Sequence, residues 1–197
     1  MGRPRSYVPA DVVTAAVRAF RLHGYAGTSL DDLTRATGLR RGSLYAAYPG
    51  KRALFLAALD QYTDATVGHF ERTLGAADDP VAGIAQALAR VARVAADGEG
   101  RHGCFVVNTA SELAGRDDEV QKAVAAAFAR LEAAFSGAIE RAQAAGRVAA
   151  DADARALGRL CVAVMQGLRV LGTAGLTEAQ LQQVATAALG ALPGRQS

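Results

Sequence analysis

Cysteine, lysine and aromatic residues are scarce in this sequence of 197 residues, and tryptophan is absent. The two cysteines, Cys104 and Cys161, lie in segments predicted to be helical, which argues against the disulfide framework of small secreted proteins. No stretch reaches the roughly 18 uninterrupted apolar residues that a membrane-spanning helix needs. The N-terminal segment carries basic residues but no apolar run of signal-peptide length. We therefore expect a protein of the reducing cytoplasm.

Strand signals are missing too, because no run of alternating β-branched residues recurs between turn signals. Alanine is abundant, and apolar residues make up 51% of the chain, which is enough to form a core. The composition therefore predicts an all-α protein.

Motifs of catalysis and of metal binding are also lacking. The three histidines, His23, His69 and His102, do not have the spacing of metal ligands, and no nucleophile elbow, zinc-protease motif or Walker loop occurs. Segment 98–103 satisfies G-x-G-x-x-G, but it follows a predicted helix instead of a strand, so we interpret it as a connector. We expect no enzyme activity, no cofactor and no metal site. A nucleotide-binding enzyme is the alternative, which binding of NAD would reveal.

Positive charge is concentrated at the N-terminus. Residues 1–52 contain nine Arg and Lys and three Asp, which gives a net charge of +6, whereas the rest of the chain has a net charge of −3. A basic segment joined to a mildly acidic body indicates that only the first segment faces a polyanion such as DNA. A helical carrier of hydrophobic ligands is an alternative for the body, but it leaves the basic segment without a role.

Start and stop signals divide the chain into about nine helices. Pro9 suits a first helical turn, Gly24 ends the first helix, and Thr28 or Ser29 can cap the second. Gly38 ends the second helix, and a Pro-Gly pair follows the third. The predicted helices span about 9–23, 29–37, 41–47, 51–74, 81–96, 104–114, 117–145, 152–172 and 177–192.

Helices 29–37 and 41–47, with the turn at 38–40 between them, have the dimensions of a helix-turn-helix, whose second helix enters the major groove of DNA. The long helix 51–74, on the order of 35 Å in length, can link this head to a separate body. The last two helices have wide, alanine-rich apolar faces, so we expect them to form a four-helix subunit interface across a two-fold axis. Packing within their own monomer is the alternative.

Several short segments in the first third of the chain form a specific pattern. They are GYAGTSLDDL at 24–33, ATGL at 36–39, GSLY at 42–45, YPGK at 48–51 and LF at 54–55. In order and spacing they resemble the DNA-binding domain of TetR-family regulators, and GCFVVNTASEL at 103–113 is similar to the start of the sixth helix in one branch of that family. The resemblance implies an N-terminal arm and three-helix domain over 1–52, and a helical ligand-binding and dimerisation domain over 53–197. It also implies a homodimeric repressor that a small-molecule effector releases from double-stranded operator DNA; an activator without effector release is the alternative.

The residues predicted to contact DNA are Arg3, Arg5, Thr28, Arg40, Arg41, Gly42, Ser43, Tyr45, Tyr48 and Lys51. The two arginines of the N-terminal arm are expected to follow a groove or neutralise phosphates, unless the arm is a solubilising tail. Thr28 is expected to cap the second helix and, as the resemblance implies, to donate to a phosphate. Tyr48 and Lys51 are predicted to form a phosphate clamp at the start of the long helix; for Tyr48, a place in the core is the alternative.

The third helix is predicted to present one side to the major groove and the other to the core. Gly42 permits close approach of the backbone to DNA, and Arg41 can read guanine through two hydrogen bonds. Arg40 itself is expected to contact phosphate, and Leu44 is expected to pack inward.

Residues predicted to line a ligand cavity are Phe70, Phe105, Asn108, Glu112, Phe128, Met165 and Gln166. They combine apolar side chains with polar groups that need a partner on otherwise apolar helices, and core packing is the alternative for each. Cys104, at a predicted helix N-terminus, is either a small buried residue, which is the favoured interpretation, or a thiol that senses electrophiles. Cys161 is predicted to contribute to packing alone.

Overall fold

The computed structural model describes residues 8–98 and 100–194, and within these ranges all regular structure is helical. The elements are α1 (Pro9–Gly27), α2 (Leu30–Thr37), α3 (Arg41–Ala47), α4 (Lys51–Gly75), α5 (Pro80–Ala96), a 3-10 turn (Gly100–His102), α6 (Phe105–Leu113), α7 (Asp118–Ala144), α8 (Ala154–Thr173) and α9 (Glu178–Gly190). The all-α prediction is confirmed, and most boundaries lie within two residues of those predicted. None of the described helices is long and apolar enough to cross a membrane.

Packing divides the chain into two units. The first consists of the chain up to Ala65 together with Phe105–Val124, and the second of Thr66–Cys104 together with the chain from Ala125 onward. Two helices, α4 and α7, contribute residues to both units. These units have other bounds than the predicted ranges 1–52 and 53–197, because the start of α4, all of α6 and the start of α7 belong to the first unit, where α6 packs against α1.

The core of the first unit is a cluster of aromatic rings. Phe20 packs edge-on against Phe55 at 5.1 Å between ring centroids, and Phe55 packs edge-on against Phe105 at 5.4 Å. Tyr25 and Tyr62 extend the cluster at either side. The ring of Phe105 is therefore a core element of the first unit, where it joins α6 to α1 and α4, and the prediction that it lines a ligand cavity is not supported.

A break in α1 gives Glu112 its role. Gly24 has a φ of 70° and a ψ of 178°, so a new helical turn begins at Tyr25 and its first N–H groups lack helical acceptors. The Glu112 carboxylate of α6 accepts both hydrogen bonds, from Tyr25 N at 2.8 Å and from Ala26 N at 2.7 Å. A Cβ atom at Gly24 would lie 2.8 Å from Glu112 Oε2. Glu112 was predicted to anchor a ligand; instead it caps this turn.

The second unit is built on α5, which packs against both α8 and α9. Ile84, Leu88, Met165, Leu168 and Leu181 are each no more than 1% exposed and form the centre of its core. Met165 was predicted to line a ligand cavity, but its side chain is part of this core.

The glycine-rich segment between α5 and α6 has a packing role. Gly100 is buried, and a Cβ atom there would collide with the carbonyl oxygen of Val94. The segment follows a helix and forms a 3-10 turn, which lacks the strand of a dinucleotide-binding loop. Within the described residues, no group of three His, Cys, Asp or Glu side chains is placed to hold a metal ion.

Both cysteines are free and buried. Cys104 immediately precedes α6, and its Sγ accepts a hydrogen bond from Arg169 Nη1 at 2.6 Å. Burial raises the pKa of Cys161 to about 11, so this thiol stays protonated at neutral pH. The packing role predicted for Cys161 agrees with this environment.

We expect Glu112→Ala to lower the free energy of unfolding by about 1–2 kcal/mol, because two backbone N–H groups lose a charged acceptor. Urea denaturation monitored by circular dichroism measures the change. Glu140→Ala, which removes an exposed carboxylate from α7, is the control and should have little effect. Equal stabilities of the Glu112→Ala and Glu140→Ala proteins would contradict the capping role.

Candidate DNA-binding surface

The start of α2 is fixed by a capping box. The Ser29 hydroxyl accepts a hydrogen bond from Asp32 N at 3.1 Å, and the Asp32 carboxylate accepts one from Ser29 N at 2.9 Å. The Ser29 hydroxyl also donates to the Asp32 carboxylate at 2.6 Å, and this bond, followed by the one from Ser29 N, is the main reason that the pKa of Asp32 lies below its usual value. Of the two residues predicted as possible caps, Ser29 has this role; Thr28 is 1% exposed and its hydroxyl donates to Gly24 O at 2.6 Å. The Thr28 hydroxyl therefore faces the protein interior and does not support the predicted phosphate contact.

The turn between α2 and α3 depends on one left-handed residue. Gly38 has a φ of 68°, a conformation that favours glycine, and it ends α2. Leu39 N then donates to the hydroxyl of Thr37 at 3.3 Å. Leu33 of α2 and Leu44 of α3 are buried, and both line a small interior gap together with side chains of α4. The turn and these leucines set the orientation of α3.

α3 has one buried side and one exposed side. Leu44 is 3% exposed, as predicted, and Tyr45 is 46% exposed. The other predicted contact residues of this helix, Arg41, Gly42 and Ser43, are also exposed. The four residues predicted to enter the major groove are therefore available on the surface of the first unit.

Gly42 is not required by the fold. A Cβ atom placed there would meet no heavy atom within 4 Å, and its φ is not in the left-handed region. Glycine inside a helix costs about 1 kcal/mol relative to alanine. A glycine that the chain itself does not need is expected where another molecule approaches the backbone closely.

Three arginines border a concave surface between α2 and α3. Arg35, Arg40 and Arg41 line it together with Asp31, and its volume is about 630 Å³. Arg41 Nη2 lies 3.3 Å from Asp31 Oδ1, but both side chains are largely exposed, so the pair is weak and open to exchange with phosphate. Sequence reasoning missed Arg35. Its position four residues after Asp31 on α2, on the same helix face, is the signal that could have identified it.

Lys51 stands at the first position of α4, half-buried against the end of α1. Its Nζ donates to Ala26 O at 3.4 Å and lies 4.5 Å from the centre of the Tyr25 ring. An ammonium has three donors, so further donors remain for a phosphate. The α4 ladder begins with Leu54 N, and the N–H groups before it therefore have no helical acceptor. Tyr48, also half-buried, follows the last residue of α3 and lines the same small gap as Lys51. The phosphate clamp of these two residues stays a prediction.

The start of α4 is held by the start of α7. Arg52 Nε and Nη2 donate to the two carboxylate oxygens of Asp117 at 3.1 and 3.0 Å, and Nη2 also lies 2.7 Å from Glu119 Oε2. Asp117 in turn accepts from Val120 N at 3.1 Å. The hydrogen bonds from Arg52 are the main cause that lowers the pKa of Asp117, and the Asp117 and Glu119 carboxylates raise the pKa of Arg52. This network fixes the helix end that carries Lys51.

The residues predicted to line a ligand cavity do not lie in one packing unit. Phe105, Asn108 and Glu112 belong to the first unit, whereas Phe70, Phe128, Met165 and Gln166 belong to the second. Within the second unit, Gln166 Nε2 is buried and has no hydrogen-bond partner in the described residues. Phe70 is 3% exposed and lies at the base of a groove that α5 and α9 also border. Arg3 and Arg5 lie outside the described residues.

Two family models match the chain: "Bacterial regulatory proteins, tetR family" matches residues 12–58, and "Tetracyclin repressor-like, C-terminal domain" matches residues 80–188. The HTH-type transcriptional repressor ComR of Escherichia coli is 28% identical over 98% of this chain and 92% of its own. The uncharacterised HTH-type transcriptional regulator YezE of Bacillus subtilis is 32% identical over 81% of this chain and 82% of its own. These relatives are transcriptional regulators and not enzymes, as the sequence predicts for this chain.

A similar solved structure contains DNA. It is a cysteine mutant of the TetR family transcriptional regulator CifR complexed with 26-bp double-strand operator DNA, with a TM-score of 0.86 and 30% identity. The match covers 98% of this chain and 100% of that chain. A TetR transcriptional regulator from Chloroflexus aurantiacus matches with a TM-score of 0.82 and 27% identity over 91% of this chain and 90% of its own. The likeness thus extends well beyond the helix-turn-helix.

We expect Gly42→Ala to weaken binding to the chain's own promoter DNA while raising the free energy of unfolding by about 0.5–1 kcal/mol, because alanine favours the helix but its methyl group occupies the open surface. Fluorescence anisotropy and urea denaturation measure the two effects. Gly137→Ala, inside α7, gains the same helix propensity and should leave DNA affinity unchanged. DNA affinity that is unchanged in both variants would show that Gly42 does not lie against DNA.

Proposed function

Because this chain belongs to the TetR family of DNA-binding transcriptional regulators, we propose that it is a homodimeric repressor that a small-molecule effector releases from its operator. The observation that carries the proposal is the exposed side of α3, where a glycine that the fold does not need stands beside three arginines. The proposed location is the cytoplasm, where a bacterial regulator meets its operator.

The surface divides into residues for base edges and residues for phosphates. Arg41, Ser43 and Tyr45 are exposed on α3 and suit contacts with base edges in the major groove. Arg40 and Lys51 flank α3 on either side in the sequence and suit phosphates. We add the exposed Arg35 to the phosphate contacts and leave out Thr28; Tyr48 remains a proposed phosphate contact. Arg3 and Arg5 remain proposed contacts on the strength of the sequence alone.

An exposed apolar strip on α8 and α9 supports the proposed dimer. Along α8 the side chains of Leu160 and Val170 are 42% and 55% exposed, and Ala163 and Gly167 lie between them at intervals of three or four residues. On α9 the side chain of Val184 is 37% exposed. Such a strip, with small residues that permit close approach of helices, is typical of a four-helix interface between two copies.

The long helix α4 supplies a route for regulation. It runs without interruption from Lys51 to Gly75, with its first part in the DNA-binding unit and its last part in the second unit. Two successive major grooves on one face of DNA require a spacing of about 34 Å between the α3 helices of the dimer. In the proposed mechanism, an effector bound in the second unit tilts α4 and so changes this spacing. Operator affinity then falls.

We expect Lys51→Ala to weaken binding to promoter DNA and to make the binding constant depend less steeply on salt concentration. The reason is that each phosphate contact releases about one counterion from the DNA. Gel shifts of the chain's own promoter region at several salt concentrations measure both. Lys122→Ala removes the other lysine of the chain, which is exposed on α7, and should bind like the parent protein. The clamp assignment fails if Lys51→Ala and Lys122→Ala bind equally.

We expect Val170→Glu to convert the dimer into a folded monomer with reduced operator affinity, because the substitution places a charge on the apolar strip while the residue is already exposed within the monomer. Light scattering after size exclusion measures the mass. Val94→Glu, at an exposed valine of α5, should remain dimeric. A dimer in both variants would place the interface elsewhere.

Effector release is tested by adding candidate small molecules to the complex with promoter DNA. A compound that lowers DNA affinity while binding the free protein supports the proposal. A regulator that binds the promoter but responds to none of a broad panel would instead favour an activator or architectural role. A chain that neither dimerises nor binds its promoter region at low ionic strength would overturn the proposed function.

A further inference from the structure

A groove in the second unit runs between the last part of α4, α5 and α9. Its volume is about 400 Å³, within the range of small-molecule sites. The base is apolar: Phe70 of α4 and Ala87 of α5 border it and are 3% and 1% exposed. A ligand that enters this groove therefore finds an aromatic ring and a methyl group beneath it.

The rim of the groove is cationic. Arg90 and Arg93 of α5 border it three residues apart, so they share one helix face. Both side chains are exposed, and within the described residues neither forms an ion pair with a carboxylate.

Some other arginines of the second unit have acidic partners. Arg130 pairs with Glu71 at 2.9 Å and Arg147 pairs with Asp79 at 3.0 Å. The sequence outside the first 52 residues is mildly acidic. Arg90 and Arg93 thus place two positive charges, without a carboxylate partner among the described residues, at one groove of a mildly acidic part of the chain.

His69 lies in a positive electrostatic potential. It borders the groove on α4, and its pKa is lowered by burial and further by the positive charges of Arg90 and Arg72. Its imidazole is therefore neutral at neutral pH and offers one donor and one acceptor. Glu178 of α9 also borders the groove and is the carboxylate among the lining residues. Its negative charge works against an anion on the rim.

We propose that this groove binds a small organic carboxylate, with the carboxylate held by Arg90 and Arg93 and the apolar body placed on Phe70 and Ala87. Charge-assisted hydrogen bonds from a guanidinium suit a carboxylate, and the apolar base favours a ligand with a hydrophobic body over an inorganic anion. That this ligand is the effector rests on the proposed function, whereas the binding site itself does not.

The groove stays open in the proposed dimer. At about 100° per residue, Glu178 and Gln182 lie only about 40° apart around α9, and Gln182 Nε2 donates to Ala89 O of α5 at 3.0 Å. Val184 lies roughly 120° or more from both groove residues around the helix axis. The exposed strip and the groove thus use different sides of α9.

The test is isothermal titration calorimetry of the full chain, without DNA, with benzoate and hexanoate and with the uncharged amides benzamide and hexanamide. We expect at least one carboxylate to bind and its amide to bind far more weakly. Arg90→Gln and Arg93→Gln should each weaken carboxylate binding about three- to tenfold. Glu178→Gln should strengthen it about two- to threefold, because it removes a repulsive charge. Arg101→Gln, which removes an exposed arginine outside the groove, is the control for net charge.

The proposal is overturned if neither carboxylate binds up to about 10 mM, a ceiling well above the millimolar scale of weak sites. It is equally overturned if amides bind as well as carboxylates, or if Arg101→Gln has the same effect as Arg90→Gln and Arg93→Gln. All of these measurements use ligand-free protein whose binding to promoter DNA is recorded separately. A failure of the groove therefore remains distinct from a failure of the proposed regulatory function.

Discussion

The DNA-binding unit depends on the packing of three aromatic rings. Phe55 of α4 packs against Phe20 of α1 on one side and against Phe105 of α6 on the other. α2 and α3 have eight and seven residues, and helices this short are unstable in isolation. They form because Leu33 and Leu44 bury their side chains against the frame that the aromatic rings hold together. The exposed side of α3 has a defined position only because its buried side has a fixed partner.

Charged residues in this unit serve two different purposes. The exposed pair of Arg41 with Asp31 contributes little to stability, so Arg41 can exchange its partner for DNA at small cost. Arg52, in contrast, is held by two carboxylates and by bidentate geometry, which suits a structural role at the start of α4. The sequence shows only that both are arginines in a basic segment. The number and geometry of their partners separate the two roles.

For the residues predicted to line a ligand cavity, the polarity of a side chain indicates that it needs a partner but not which partner it has. A carboxylate on the apolar helix α6 does need a partner, and Glu112 has one, but the partner is a pair of backbone N–H groups at a break in α1. Phe105 and Met165 are large apolar residues that fill cores of two different units. The groove at Phe70 exists only where α4, α5 and α9 meet, and Arg90, Arg93 and Glu178 form no sequence motif that indicates it.

The sequence by itself determined the helical class, most helix boundaries and the net positive charge of the N-terminal segment, because caps, breaks and net charge are local properties. Ser29 and Asp32 lie three residues apart, and Gly38 ends α2 through its own backbone conformation. Only the tertiary structure decided the partners of Glu112, the inward direction of Thr28 and the extent of the two packing units. The Glu112 contact joins residues 86 positions apart in the sequence. Whether such distant segments meet depends on how the whole chain packs, and a local sequence pattern does not specify this.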